Sequence, residues 1–322
     1  MLLAATGSGV YGFSRAGSNG WEASLKALEG EDVTAVAASE GRLVATPRGK
    51  GLQQSSDGGK AWTLLLEGPN ARSLAFGPDG ALYLGGDPAA IYKGRGNHFE
   101  ELTGIRALPS LPSWNFPNPP HLGNIHSLAF GQRDRETIYA AVEVGGVIVS
   151  NDGGESWVER REGIHLDVHA IASAPGEEED VLYTATGQGF FRSRNAGVSW
   201  ESCCDGLASL YLAPLAVHPT RPETVFTAAT EGRPRYWRAR EGGARCTVYR
   251  SHDGGGLWQP AMGGLPDTLP GAVSVLAIDP ADPDTVYGGT SDGKLLAGED
   301  LGAKWRTLAE GLPPVHGIAL AP

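Results

Sequence analysis

A chain of 322 residues with 41% hydrophobic and 20% charged residues has the composition of a folded globular protein, long enough for one large all-β domain or two ordinary ones. Its formal net charge of −11 argues against a general nucleic-acid or anionic-membrane surface, and no apolar run approaches the length of a membrane-spanning helix. The 47 glycines and 22 prolines favour many short strands and tight turns over long helices.

The opening residues, LLAATGSGVYGF, enter a strand pattern at once and lack a basic stretch, so they do not read as a signal peptide. A strand with a central alanine then recurs seven times, at Ala37, Ala75, Ala129, Ala172, Ala216, Ala277 and Ala319. All but the last are followed by a second strand (RLVAT, ALYLGG, TIYAAV, VLYTAT, TVFTAA, TVYGGT), then by a third and a fourth. Between the third and fourth lies the turn S-x-D-x-G-x-x-W: SSDGGKAW (55–62), SNDGGESW (150–157), SRNAGVSW (193–200), SHDGGGLW (251–258) and GEDLGAKW (298–305). AGSNGW with Trp21 and GRGNHF with Phe99 keep only the aromatic.

Four strands in about 40 residues is a propeller blade. The last strand, VHGIAL, has no partners after it, and the first residues have no inner strand before them. Together they complete one blade. The expected fold is all-β: a single seven-bladed β-propeller domain over 1–322, with blade 1 shared between 1–30 and 314–322. In the turns, Asp accepts backbone N–H groups, Gly supplies positive φ and Trp packs between blades. Asn195 stands where a catalytic acid would have to be charged, so these aspartates are structural.

The turns and their period resemble the Asp-box, or BNR-repeat, propellers, which include sialidases, xyloglucan-degrading enzymes, sortilin-type receptor domains and photosystem II assembly factors. IYAAVEVGGVIVSNDGGESW, GIHLDVHAIA and YLAPLAVHP are most similar to single-propeller bacterial BNR proteins labelled glycosyl hydrolase or sialidase-like. The resemblance implies the fold and leaves the reaction open.

The turns occupy one face, so a ligand site is expected on the other, at the channel mouth. Two long departures from the repeat fall there: the link 104–123, with PSLPSWNFPNPPH, and the loop 230–247, EGRPRYWRAREGGARCTV. Aligned on their alanines, the inner strands carry Thr34, Arg72, His126, His169, Ala213, Ser274 and His316 three positions earlier. Two positions further back stand Asp32, Asn70, Asn124, Asp167, Tyr211, Ala272 and Pro314. In HLDVH, strand alternation points His165, Asp167 and His169 to one side. Such a set suits a divalent metal, with His126, His169 and His165 as ligands, or a carboxylate-tuned base. Asp167, Glu143 and His169 are the catalytic candidates. Arg72, His126, Trp114, Tyr211, Arg235 and Trp237 are the ligand contacts, with Phe116 and Tyr236 as further stacking surfaces.

A true sialidase would need an Arg-Ile-Pro signature near its start, where this chain has GSGVYGFSR. A glycosidase needs two carboxylates across the bond, for which Asp167 with Glu143, Asp32 or Asp87 is available. The ligand expected first is therefore a small carbohydrate-like or anionic molecule, bound at the mouth, with hydrolysis by such a carboxylate pair as the accompanying option. A metal-dependent lyase or oxygenase using tunnel histidines is the second reading, and a protein-binding scaffold the third. Neither nucleic acid nor membrane is an expected partner. Cys203, Cys204 and Cys246 make an odd count without framework spacing, which points to a reducing, cytoplasmic setting.

Overall fold

The computed structural model describes residues 1–16, 20–117, 120–237 and 239–321. Seven four-stranded antiparallel sheets form the seven-bladed β-propeller that the repeat predicts. The inner strands are Val315–Leu320, Val33–Ser39, Asn70–Phe76, Ile125–Phe130, Val168–Ala174, Tyr211–Val217 and Val273–Ile278, for blades 1 to 7 in turn. Each touches the inner strands of both neighbouring blades around the channel. The second strands, such as Ile138–Val142 and Val286–Thr290, are buried throughout. Neighbouring blades cover both their faces, which is why they read as continuous apolar runs. The fourth strands sit at the rim and dwindle to the exposed pairs Glu201–Ser202 and Gln259–Pro260.

The ring closes where the first and last strands pair, from Leu2 opposite Leu320 to Thr6 opposite Val315. The Met1 amino group donates to the Ala321 carbonyl at 2.7 Å, and Ala321 N–H returns a bond to Met1 at 2.9 Å. A sheet edge that would otherwise be open is thereby paired.

The recurrent turns are hydrogen-bonded devices. Ser150 Oγ donates to Asp152 at 2.7 Å and accepts the Gly154 N–H at 2.8 Å, while Asp152 accepts the Ser156 hydroxyl at 2.5 Å and its N–H at 2.9 Å. The Ser156 bonds, with that from Ser150, hold the Asp152 carboxyl down at about 2. Asn195 makes the same turn with an amide oxygen, accepting from Ser199 N–H at 3.0 Å, so the charge is dispensable. Gly154 needs its φ of +103°, and a Cβ there would lie 2.4 Å from Leu102. Ser150 is 1% exposed and serves both arms of its turn. Ser150→Ala is therefore expected to cost about 1–3 kcal/mol, because donors that it satisfies become orphaned. Urea denaturation measures this.

The link after blade 3 is ordered by two 3₁₀ turns, Thr103–Ala107 and Leu111–Ser113, and by a small hairpin pairing Asn115–Pro117 with Pro120–Leu122. Among the described residues no helix is long and apolar enough to cross a membrane.

Candidate functional site

Every inner strand breaks register with its neighbour at the same place. Pairing skips Arg72, His126, His169, Ser274 and His316 singly, and skips Thr34 with Ala35 and Ala213 with Pro214. These are β-bulges, which re-aim a side chain out of the pleat. The skipped positions are the column found by aligning the alanines. All seven line one cavity of about 540 Å³ at the channel mouth. The loops of the recurrent turns lie on the other face.

Blades 4 and 5 supply most of its chemistry. Asn124, buried, donates its amide to Glu143 Oε2 at 2.5 Å. Glu143 follows the second strand of blade 4, and its Oε1 lies 3.9 Å from His126 Nε2. His121, from the link, places Nε2 at 3.7 Å from Oε2. On blade 5, His169 Nδ1 meets the Leu212 carbonyl at 2.5 Å. Since a carbonyl only accepts, Nδ1 carries the hydrogen, and Nε2 faces Asp167 Oδ1 at 3.3 Å. A row of rings follows the wall. His126 and His169 are 5.5 Å apart between centroids, His169 and Tyr211 5.0 Å, and Tyr211 and Trp237 6.2 Å.

Burial sets the charges. It pushes His126 down to about 4, with Glu143 opposing only in part and Arg72 assisting. His316 and His165 are likewise lowered, chiefly by burial. Burial works to raise the Glu143 and Asp167 carboxyls, but their histidine neighbours outweigh it and hold both below the usual range. Tyr211 is raised by burial and by the charges of Asp167 and Glu143. Arg72 is exposed to the cavity and has no ion pair among the described residues. Buried polar atoms without a hydrogen-bond partner include Asp32 Oδ1, Asn124 Oδ1, Asp167 Oδ1 and His316 Nδ1, all from the two aligned columns. Asp32 Oδ1 and His316 Nδ1 face each other at 3.4 Å, and Asp167 Oδ1 faces His169 Nε2 at 3.3 Å.

Several expectations are corrected. HLDVH is not one extended strand, because the inner strand begins only at Val168. His165 turns back to accept the Asp167 N–H at 3.3 Å. His126, His169 and His165 therefore do not converge, and among the described residues no group of three His, Cys, Asp or Glu could hold a metal ion. Trp114 is 2% exposed, bonded to Ser110 Oγ at 2.8 Å and packed in the core beneath the link. It anchors the link and offers no face to a ligand. Arg235 lies outside the cavity wall, its guanidinium 4.7 Å over the exposed Tyr236 ring. Trp237 does line the cavity, its indole N–H held by the Gly232 carbonyl at 3.0 Å. The side chain of Phe116 lies outside the described residues. The three cysteines are free thiols, Cys203 and Cys246 buried in different clusters.

Ser127 and Ser291 also line the cavity and escaped the sequence reading. Ser291 follows its second strand as Glu143 does, since Thr290 pairs with Val273 as Val142 pairs with Ile125. Aligning the second strands would have found it. A second cleft of about 630 Å³, walled by Pro88, Ala89, Tyr92, Ile105 and Leu111, includes Asn70, two residues before Arg72.

No protein-family model matches the chain, and no curated protein matches it. Among solved structures it is similar to the GH74 xyloglucanase from Xanthomonas campestris, at 21% identity and a TM-score of 0.66, over 96% of this chain and 52% of that one. The chain thus spans about half the length of that enzyme. It is similar to YCF48 bound to D1 peptide, at 17% identity and a TM-score of 0.60, over 90% of this chain and 84% of that one. RRP9 WD40 repeats match at 14% identity and a TM-score of 0.59, over 100% of this chain and 89% of that one. At these identities the likeness is one of fold, shared by hydrolase and WD40 propellers alike.

Proposed function

We propose that this propeller binds a small anionic, carbohydrate-like ligand at the mouth of its channel. One observation carries the reading: among the described residues, Arg72 lines the cavity without a carboxylate partner. An arginine in such a place suits a bidentate contact with a ligand carboxylate. Tyr211 and Trp237 provide ring surface, and Ser274 and Glu143 provide groups for hydroxyls. Hydrolysis finds less support. Glu143 is the one carboxylate residue in the cavity wall among the described residues, and a glycosidase needs two.

Calorimetric titration with uronate-containing and neutral oligosaccharides of equal length tests the reading. Uronates are expected to bind preferentially, and Arg72→Ala to weaken them about 10- to 100-fold, as loss of a charged hydrogen-bonding pair does. Equal binding of neutral sugars, or indifference to Arg72→Ala, would sink it. The second reading, a protein-binding scaffold, is favoured by the exposed Tyr236 with Arg235 stacked on it, and by propellers such as YCF48 bound to D1 peptide. It wins if removal of 231–245 abolishes a protein complex while sugar binding is absent.

A further inference from the structure

The mouth of the channel presents an unusual set of reactive groups. Among the described residues one guanidinium, one carboxylate and three imidazoles line the cavity, and His126 is the imidazole whose carboxylate neighbour, Glu143, lines it too. Asp167, the second acid of a hydrolase pair, is turned away. Its Oδ1 is buried against His169 Nε2 at 3.3 Å, and its Oδ2 packs on Gly187, where a Cβ would lie only 2.6 Å off. Glu143 is held by Asn124 at 2.5 Å and directs Oε1 at His126 Nε2. Such a carboxylate fixes the imidazole tautomer and steadies the charge that forms when the other nitrogen takes a proton. That other nitrogen, His126 Nδ1, has no hydrogen-bond partner among the described residues, on a side chain that lines the cavity. The 3.9 Å to Glu143 is longer than a hydrogen bond, as is common for catalytic contacts before a ligand closes them.

Arg72 and His126 occupy equivalent bulges on adjacent blades. The same relation one blade further on sets the His126 and His169 rings 5.5 Å apart. A carboxylate bound at Arg72 therefore brings its neighbouring carbon within reach of His126.

We infer that the site cleaves uronate chains by β-elimination, with Arg72 holding the sugar carboxylate, His126 Nδ1 as the base, and Glu143 with Asn124 positioning that base. This rests on the reading of the cavity as an anionic-sugar site. His126 takes the proton from the carbon that bears the carboxylate. The released electron pair forms a double bond to the next ring carbon, whose bond to the glycosidic oxygen breaks. That oxygen leaves with its bonding electrons and is protonated from solvent, and the imidazolium returns its proton to solvent. The chain becomes two, one ending in a hydroxyl and one in a conjugated double bond, with no oxidant or water consumed. Burial lowers His126 to about 4, so at neutral pH it is in the unprotonated form that a base requires. The cleft beyond Asn70, with the Tyr92 ring in its wall, gives the rest of a chain a place to lie.

The experiment uses the full chain with polygalacturonate, polymannuronate and a glucuronate-containing glycosaminoglycan. Ultraviolet absorbance reports the conjugated double bond, and calorimetry on the same samples reports binding. At least one polymer is expected to give the absorbance. His126→Gln should lower its rate about 100-fold or more, the usual worth of a general base, while leaving affinity within about threefold, far under the tenfold that 1.4 kcal/mol represents. Glu143→Gln should shift the pH profile of the rate, which a purely structural role would not. Binding that depends on Arg72 without any unsaturated product overturns the elimination and leaves the binding reading intact. A rate indifferent to His126→Gln also overturns it. Absence of binding by every uronate overturns both. If His126→Gln fails to fold, as judged by thermal unfolding, His126→Asn carries the same test.

Discussion

Trp258→Ala is expected to destabilise the propeller by about 3–5 kcal/mol, the cost of deleting a buried tryptophan from a packed core. Trp258 is 2% exposed, although it stands at the end of an exposed turn in blade 6. Its ring meets Phe190 of blade 5 edge-on, with centroids 4.8 Å apart at 72°. The indole N–H reaches the Cys203 carbonyl, also of blade 5, at 2.9 Å. One side chain thus joins two blades by packing and by hydrogen bonding, and its loss leaves both a void and an orphaned carbonyl. The site cannot easily collapse, because Phe190 is itself fixed against Tyr183, centroids 5.9 Å apart. Trp305 is the internal control. Blade 7 has Gly298 where the other turns have serine, and the Trp305 indole N–H is buried without an acceptor among the described residues. Phenylalanine should therefore be tolerated better at Trp305 than at Trp258. The two denaturation midpoints decide this, and equal losses would contradict the role given to the Cys203 bond.

Acidification is expected to unfold the protein earlier than its surface charges alone would suggest. The folded chain keeps His126 neutral down to about 4, whereas the unfolded chain protonates it near 6.5. Unfolding takes up a proton between those values, so stability is full above 6.5 and falls as pH drops through the window. The gap, at about 1.4 kcal/mol per pH unit, amounts to at most roughly 3.5 kcal/mol. Arg72 and His169 face His126 and disfavour its charge, while Glu143 favours it. Glu143 and Asp167 act in the same direction at lower pH. Their carboxyls are lowered in the fold, so their stabilisation is present above the unfolded value and lost as pH falls through the folded one. Thermal midpoints between pH 7 and 4 should therefore decline steeply in the parent and less steeply in His126→Gln. Parallel slopes would refute the assignment.

The fold was legible because its signals are periodic. A turn whose serine, acid, glycine and tryptophan each do one physical job can be recognised even when Asn195 or Gly298 departs from it. The alanine column was legible for the same reason: seven strands crowd one axis, and small residues recur where they converge. Aperiodic features were not legible. Nothing in the alternation of HLDVH announces that the strand starts only at Val168, so period two was carried into a turn where it does not apply. Trp114 sits among prolines in a long link and read as an exposed ring. Only the packing of that link over blade 4 shows that its face is covered. The bulges were invisible as well, since each was aligned with its neighbours by count rather than by pairing.

Those bulges separate what holds the ring from what faces its channel. In five of the seven blades a single residue is passed over by the sheet ladder, and it is this residue that meets the channel. Exchanging its side chain removes no rung between strands. The molecule therefore carries five such slots around one axis, now filled by an arginine, three histidines and a serine, of which His169 alone also bonds the next blade's inner-strand carbonyl, at Leu212. A lineage, or a combinatorial library, can rewrite this ring one slot at a time without renegotiating the scaffold, which is a physical route by which one architecture comes to serve unrelated chemistries.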